Sequence, residues 1–194
     1  MSKPLLQIIV ASTRPTRVGA GVGAWIADLA RAQGGFDVEV VDLAEVNLPI
    51  FDEPNHPTTG NYVHEHTKAW SATVARAQAF VIVTPEYNHS FPASLKNALD
   101  YLSREWRYKA VGFVSYGGIS AGLRAVGQLK PVVGALRLVP VTDAVSVPFV
   151  ATRMDASGAF RSDETLDASA KKMLDELVTV GTPLIPLQEP RDQA

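Results

Sequence analysis

The stretch AFVIVTPEYNHSFPASLKNALDY, residues 79–101, holds the pattern that decides the fold. Its first part, residues 79–84, is almost continuously apolar and rich in β-branched side chains, which is typical of a strand covered on both faces. Residues 93–104 then place apolar side chains at helical spacing. The connection between them holds two prolines, a carboxylate, an aromatic ring and an amide, although a plain strand-to-helix turn needs only a few residues. We therefore expect this connection to present chemical groups to a ligand.

Apolar segments of these two kinds alternate along the whole chain. Five short ones predict strands, at 5–11, 36–43, 79–84, 110–116 and 135–141. Five amphipathic ones predict helices, at 19–33, 65–78, 93–104, 119–134 and 163–180. Five strand–helix units in series predict an α/β fold, a five-stranded parallel sheet with helices on both faces. The second strand alternates in polarity, which places it nearer an edge of the sheet.

The length of 194 residues predicts a single domain over residues 1–194, with an extended tail at 182–194. Two connections are long, at 44–63 and 142–162, and loops of that length are uncommon unless they are functional or packed on a partner.

Composition and charge exclude several classes of function. The net charge of −2 gives no electrostatic basis for binding nucleic acid or an anionic membrane. The chain has no cysteine, which excludes disulfides, thiolate metal sites and a cysteine nucleophile, and which suits the cytoplasm. No apolar run approaches the ~20 residues of a membrane span. The histidines fit no metal pattern, since His64 and His66 would diverge on a helix, and Ser12 lacks the G-x-S-x-G motif of hydrolases.

Three unusual loops follow the first, third and fourth predicted strands. They read STRPTRVG (12–19), PEYNHSFP (85–92) and GGIS (117–120). A parallel sheet brings all three to the carboxyl ends of its strands, where ligands bind at the point at which the strand order reverses.

The first loop predicts a phosphate site. Ser12 and Thr13 supply hydroxyls, Arg14 and Arg17 supply guanidinium groups, and a predicted helix begins just beyond. The alternative is a polar turn with two solvated arginines. Two arginines before a helix oppose its macrodipole unless an anion lies there, which favours the phosphate interpretation.

The other two loops suit a flat heterocycle. Tyr87 can pack beside a ring, Asn88 can both donate and accept hydrogen bonds, and Gly117-Gly118 permits close approach of the backbone. The simpler alternatives are that Glu86 is solvated and that Ser90 caps the following helix. A phosphate at the first loop and a ring at the others describe a mononucleotide across the switch point, as FMN lies in the flavodoxin-like strand order 2-1-3-4-5.

A second nucleotide motif competes with this interpretation. Gly19, Gly21 and Ala24 fit G-x-G-x-x-A, and Asp42 follows at roughly the spacing of a dinucleotide-binding Rossmann unit. The first glycine of that motif should follow the strand directly, however, and here the glycines fall inside the predicted helix. We expect them to permit close packing of helix on sheet, with a dinucleotide site as the alternative.

Four segments together resemble the NAD(P)H-dependent FMN reductases, which include quinone, chromate and azo reductases. They are Ser12–Arg17, Pro85–Asn88, Leu95–Asp100 and Ser115–Gly118, and the similarity covers roughly residues 5–140. The resemblance implies a flavodoxin-like three-layer sandwich, bound FMN, and a homodimer or dimer of dimers. The segment Leu48–Phe51 resembles the part of the family that packs at the dimer contact. His89 stands where relatives vary and often have glycine.

The resemblance also implies roles for individual residues. Ser12, Arg14 and Arg17 would hold the FMN phosphate, and the loops after the third and fourth strands would contact the ribityl chain and the ring. The complete expected cofactor-binding set is Ser12, Thr13, Arg14, Arg17, Val18, Gly19, Pro85, Glu86, Tyr87, Asn88, Ser115, Tyr116, Gly117 and Gly118.

The expected function is that of an FMN-dependent oxidoreductase. Hydride would pass from NADPH or NADH through FMN to small planar acceptors such as quinones in a ping-pong cycle, with azo compounds, chromate and free flavin as further candidates. No catalytic side chain is expected, because the flavin carries the chemistry. Backbone donors near Asn88 and Gly117 are expected to stabilise charge on the reduced ring. The alternatives are a flavodoxin-type electron carrier, which is usually far more acidic, and an NAD-binding protein that uses the glycines at 19–24.

Overall fold

A single parallel sheet forms the centre of the chain. The computed structural model describes residues 3–188. Its strands are Leu5–Val10 (β1), Asp37–Asp42 (β2), Ala79–Pro85 (β3), Ala110–Tyr116 (β4), Val139–Pro140 (β5) and Val145–Val147 (β6). The strand order is β2-β1-β3-β4-β5, with β6 also paired to β4. The predicted flavodoxin-like order is therefore confirmed, and β2 lies at the sheet edge as its alternating sequence predicts.

Helices cover both faces of the sheet. They are Gly19–Gln33 (α1), Leu43–Val46 (α2), Glu65–Ala75 (α3), Ala93–Asp100 (α4), Leu123–Ala135 (α5) and Glu164–Leu184 (α6). α1 and α6 pack their apolar sides on one face, and α3, α4 and α5 pack theirs on the other. β3 and β4 are buried along their whole length because both faces are covered, which explains their continuous apolar runs. Within 3–188, no helix has the length and hydrophobicity that a bilayer crossing requires.

The fifth position in the sheet differs from the prediction. The segment 135–141 forms a strand only at Val139–Pro140, because α5 continues through Ala135 and Arg137 then turns with a positive φ of 62°. β5 pairs only with the start of β4. The end of β4 pairs instead with β6, a sixth strand that lies inside the predicted long loop 142–162. Two short strands in succession thus occupy one sheet position.

Several helix ends also differ from the prediction. α4 ends at Asp100 rather than at residue 104, and a 3-10 turn at Arg104–Trp106 follows it. α5 begins at Leu123 rather than at residue 119, because Gly122 directly before it has a φ of 82°.

The predicted extended tail is wrong for its first part. α6 runs through Leu184, and a 3-10 turn spans Ile185–Leu187. The side chain of Gln188 then donates to the carbonyl oxygens of Gln78 and Tyr108, at 3.0 and 3.1 Å, which fixes this end against the sheet. The rest of the predicted tail, residues 189–194, lies outside the described residues.

Candidate functional site

The loop after β1 leaves several hydrogen-bond donors directed at one place. Ser12 is buried, whereas Thr13 and Arg14 are exposed. The backbone N–H of Arg17 donates to the carbonyl of Arg14 at 3.0 Å and closes a turn before α1 begins. Among residues 3–188, no hydrogen bond occupies the backbone N–H groups of Thr13, Arg14 or the first three residues of α1, whereas Val22 already donates to the carbonyl of Val18. The predicted combination of hydroxyls, guanidinium groups and a helix N-terminus is therefore assembled.

Arg17 contributes the clearest sign of a missing ligand. Its Nη2 atom donates to a carboxylate oxygen of Asp42 at 2.5 Å. Its Nε atom is buried and has no hydrogen-bond partner among the described residues. A buried donor without a partner is rare and costs free energy, so an incoming acceptor at this point would be favoured. The other Asp42 oxygen accepts from the N–H of Ala44 and caps α2, which holds the carboxylate in place.

The glycines at 19–24 serve packing. A Cβ atom on Gly23 would lie 2.7 Å from Val10 of β1, and one on Gly21 would lie 2.5 Å from the carbonyl oxygen of Gly158. These glycines lie within α1, several residues beyond the end of β1. Asp42 is occupied by Arg17 and by α2. The structure thus supports the packing interpretation of these residues and argues against a dinucleotide motif.

The loop after β3 is a tight hairpin turn. The backbones of Tyr87 and Ser90 exchange two hydrogen bonds, at 2.8 and 2.9 Å. Asn88 and His89 between them have φ values of 50° and 67°, the pattern of a type I′ turn. Glycine is common at such positions because it adopts a positive φ without strain. Ser90 therefore does not cap α4, whose N-cap residue is Pro92 without a side-chain hydrogen bond.

Glu86 is not a solvated side chain. Its carboxylate accepts from the backbone N–H and the guanidinium of Arg124, at 3.1 and 2.8 Å, and its side chain is only 7% exposed. Burial raises the pKa of Glu86, but hydrogen bonds from Arg124 and Ser120 outweigh burial and hold the pKa below its usual value. Glu86 thereby ties the loop after β3 to the beginning of α5.

Hydrogen bonds to β6 and to Phe149 hold the loop after β4. The Gly117 N–H donates to the carbonyl of Val147 in β6, and the Gly118 carbonyl accepts from the N–H of Phe149. The side chain of Ser115 is buried and donates to the carbonyl of Ala121 at 2.9 Å. The Gly117 N–H is therefore already occupied, so it is not one of the backbone donors expected near Asn88 and Gly117.

Tyr116 connects the loop after β4 to the loop after β1. Its hydroxyl donates to the Ser12 hydroxyl oxygen at 3.1 Å, and both side chains are buried. The structure thus brings together 12–19, 85–88 and 115–118 at the carboxyl ends of β1, β3 and β4. Of the predicted residues, Pro85 and Ser115 are buried, and the Ser115 hydroxyl donates to the carbonyl of Ala121.

Sequence reasoning missed a cavity beside the first loop. It has a volume of about 310 Å³ and is lined by Thr13, Leu43, Ala44, Asn47, Leu48, Ser94, Asn97 and Ala98. The short helix α2, which the sequence analysis treated as loop, forms one wall. The hydroxyl of Ser94 donates to the carbonyl of Ala11, which brings the beginning of α4 against the end of β1.

The two histidines at 64 and 66 do not diverge as expected. His64 precedes α3 in an extended conformation, and its ring stacks on that of His66 with centroids 5.1 Å apart. His66 also lies 3.0 Å from a carboxylate oxygen of Asp52, which accepts from the Tyr101 hydroxyl as well. These contacts fasten the loop 44–63 to α3 and α4.

The fold and this site define a mononucleotide-binding protein of the flavodoxin-like class. Ser12, the Nε of Arg17 and the N–H groups of the first loop that have no partner among residues 3–188 fit a phosphate. Comparison with known proteins then identifies the family. The family model described as NADPH-dependent FMN reductase matches residues 4–152, so the chain belongs to that family. Its cofactors are FMN and NADPH or NADH, as the sequence motifs predict.

Individual relatives agree with this assignment. The chain is 42% identical over 149 residues to an NAD(P)H-dependent FMN reductase of Schizosaccharomyces pombe, covering 75% of this chain and 74% of that protein. It is 29% identical to a 2-hydroxy-1,4-benzoquinone reductase of a Burkholderia species, over 82% of this chain and 87% of that one. A flavoenzyme NAD(P)H:acceptor oxidoreductase from Paracoccus denitrificans has the same fold, with a TM-score of 0.73 at 20% identity over 92% of this chain and 99% of that one.

The family also decides between the alternatives that the sequence left open. The chain is an oxidoreductase of a reductase family, so the electron-carrier interpretation is not needed. The sheet order places the reversal between β1 and β3, as in flavodoxin-like rather than in Rossmann dinucleotide folds.

Proposed function

We propose that this chain binds FMN through residues 12–19, 85–88 and 115–118 and reduces small quinones with NADPH or NADH. The observation that carries the proposal is the buried, unpaired Nε of Arg17 beside the buried Ser12 hydroxyl at the beginning of α1. Arg14, exposed and without an ion-pair partner among residues 3–188, can close on a phosphate from the solvent side. Each such charge-assisted contact stabilises binding by about 1.5–3 kcal/mol.

Bound FMN supplies the redox chemistry, accepting hydride from the nicotinamide and giving it up to the acceptor. The chain contributes position. The turn at 87–90 offers the free backbone N–H groups of Asn88 and His89 and the ring of Tyr87, while Glu86 and Arg124 hold that turn in place. These N–H groups take over the charge-stabilising role that Gly117 cannot fulfil.

Apolar side chains near the site favour flat, apolar acceptors. Three exposed ones surround the loop after β4, namely Ile119 at 81%, Leu123 at 61% and Phe149 at 55% exposure. Such a border attracts planar molecules by contact area, with few polar groups to discriminate between them. Quinones satisfy this description, and the benzoquinone reductase among the relatives acts on a compound of that kind. Azo compounds, chromate and free flavin are further acceptors to compare.

Steady-state kinetics test the reaction. One exposed face of the bound flavin would serve donor and acceptor in turn, so NADPH and a benzoquinone should give parallel double-reciprocal lines. Intersecting lines would show a ternary complex and contradict the shared face. A purified chain that retains FMN but is not reduced by NADPH or NADH would contradict the proposed activity altogether.

We propose further that the active form is a homodimer or a dimer of dimers in the cytoplasm. Support comes from three exposed apolar residues of the loop 44–63, Ile50 at 88%, Val63 at 50% and Phe51 at 38% exposure, beside α4. Light scattering at micromolar concentration should give the mass of two or four chains, and the mass of one chain would contradict the assembly. Cell fractionation tests the location, which suits a chain without cysteine.

A further inference from the structure

We propose that Tyr116 is a positioning residue for the FMN phosphate, because its hydroxyl fixes the Ser12 hydroxyl as a hydrogen-bond donor to that phosphate. This inference rests on the proposed function and assigns Tyr116 a role different from bordering the flavin ring. The two residues are far apart in sequence, at the ends of β4 and β1, and the sheet order places β3 between those strands.

The hydroxyl groups of Ser12 and Tyr116 form a hydrogen bond that is buried away from solvent. The Tyr116 hydroxyl donates to the Ser12 hydroxyl oxygen at 3.1 Å. Ser12 is 1% exposed and Tyr116 is 4% exposed, so water has little access to the bond. A hydroxyl can donate one hydrogen bond and accept others. Because the Ser12 oxygen already accepts from Tyr116, its own hydrogen is free, and no acceptor within residues 3–188 takes it.

Gly19 packs closely against this pair of hydroxyls. A Cβ atom on Gly19 would lie 2.4 Å from the Ser12 hydroxyl oxygen and 2.6 Å from the Tyr116 hydroxyl oxygen. The first residue of α1 is thus in direct contact with both hydroxyls. The free hydrogen of Ser12 and the free N–H groups at the beginning of α1 therefore lie next to each other, where a phosphate oxygen can accept from both.

The surroundings keep Tyr116 a donor. Burial raises the pKa of Tyr116 to about 12, an effect that the Ser12 hydrogen bond and the charge of Arg17 only partly offset. The phenol accordingly stays protonated at neutral pH.

The experiment compares FMN with riboflavin, which has the same ring and ribityl chain but no phosphate. Affinities for both are measured by quenching of flavin fluorescence on the Tyr116→Phe chain. FMN should bind about three- to ten-fold more weakly than to the unaltered chain, the effect of one neutral hydrogen bond, whereas riboflavin affinity should not change. Tyr108→Phe is the matched control, because Tyr108 lies just before the opposite end of β4 and its hydroxyl, within the described part of the chain, accepts a hydrogen bond from Arg137 alone. It should alter neither affinity.

Ser12→Ala and the double variant Ser12→Ala with Tyr116→Phe distinguish an effect of Tyr116 through Ser12 from a general disturbance of the structure. If Tyr116 acts through Ser12, adding Tyr116→Phe to Ser12→Ala should weaken FMN binding no further. If Tyr116→Phe weakens the binding of FMN and of riboflavin equally, the inference is overturned, and Tyr116 instead contacts the flavin ring. Unchanged FMN affinity would overturn it as well, with the proposed function intact. An unaltered chain that binds neither flavin would instead refute the proposed function.

Discussion

Two loop regions near the carboxyl ends of the strands differ in whether their hydrogen-bond groups have partners. The first loop, residues 12–18, keeps free the Ser12 hydrogen, the Arg17 Nε and several backbone N–H groups. The anchored segment, residues 47–53, has its groups occupied: the Asn97 side chain accepts from the N–H of Phe51 at 2.8 Å and donates to the carbonyl of Pro49 at 2.6 Å. Both stretches are irregular in sequence and each contains one proline, although residues 48–51 of the second are apolar. Unoccupied donors mark a ligand site, whereas occupied ones mark a fixed surface.

The largest effect should come from the arginines of the first loop. Replacing Arg14 and Arg17 together by alanine should weaken FMN binding by about 10²–10⁴-fold, because two charge-assisted contacts of about 1.5–3 kcal/mol each are lost. Titration of the purified apo chain with FMN measures this. The matched control is Arg31→Ala with Lys68→Ala, two exposed cations in helices away from the site, which should leave affinity unchanged. Full FMN retention by the arginine variant would show that this loop is not the phosphate site.

Two substitutions, Gly19→Ala and Gly127→Ala, test how tightly the residues at the beginning of α1 are packed. Gly19→Ala should destabilise the fold by about 1–3 kcal/mol and weaken FMN binding, since its new methyl group would overlap the Ser12 and Tyr116 hydroxyls. Gly127→Ala is the control in α5, where a Cβ atom would meet nothing within 4 Å. Removing glycine from an open helix position should stabilise the fold by about 0.5–1 kcal/mol. Urea unfolding midpoints measure both, and equal shifts would contradict the contrast.

The anchored segment should respond in stability and not in ligand affinity. Asn97→Ala removes two hydrogen bonds to the backbone of residues 49–51 and should lower the free energy of unfolding by about 1–3 kcal/mol. FMN affinity should change less than about two-fold, because the first loop is intact. Asn61→Ala, at an exposed position of the same long connection, should change neither quantity. A large loss of FMN affinity in Asn97→Ala would show that the two regions are not separate.

The smallest effect should appear on acidification. Burial raises the pKa of Glu53, but hydrogen bonds from the backbone N–H groups of Val63 and His64 outweigh burial and hold the pKa below its usual value. A carboxylate whose pKa is lower in the folded state contributes stability above the unfolded pKa of about 4.3 and loses it as the pH falls through the folded pKa. Glu53→Gln should therefore lose less stability than the unaltered chain between about pH 5 and pH 3. Equal acid sensitivity would show that Glu53 does not fasten this segment.

The comparison also separates the parts of the site that local sequence can predict from those that it cannot. Ser12, Arg14 and Arg17 stand next to one another in the chain before a helix, so their convergence is a local matter that spacing and helix electrostatics can predict. The contacts of Glu86 and Gly117, by contrast, depend on partners distant in sequence, namely Arg124 and Val147. No spacing along the chain predicts those two contacts.

The sequence by itself determined the α/β class, the parallel sheet, the flavodoxin-like order and the family. Continuous apolar runs and helical periodicity are local properties, and burial on both faces of a strand leaves a direct trace in composition. Only the tertiary structure decided that β5 stops at Pro140 and that β6 completes the sheet, because pairing with β4 rather than local preference selects those residues. It also decided that the Tyr116 hydroxyl meets Ser12 and that Asp42 holds Arg17. These contacts join residues that are 104 and 25 positions apart in the sequence, so no local pattern along the chain encodes them.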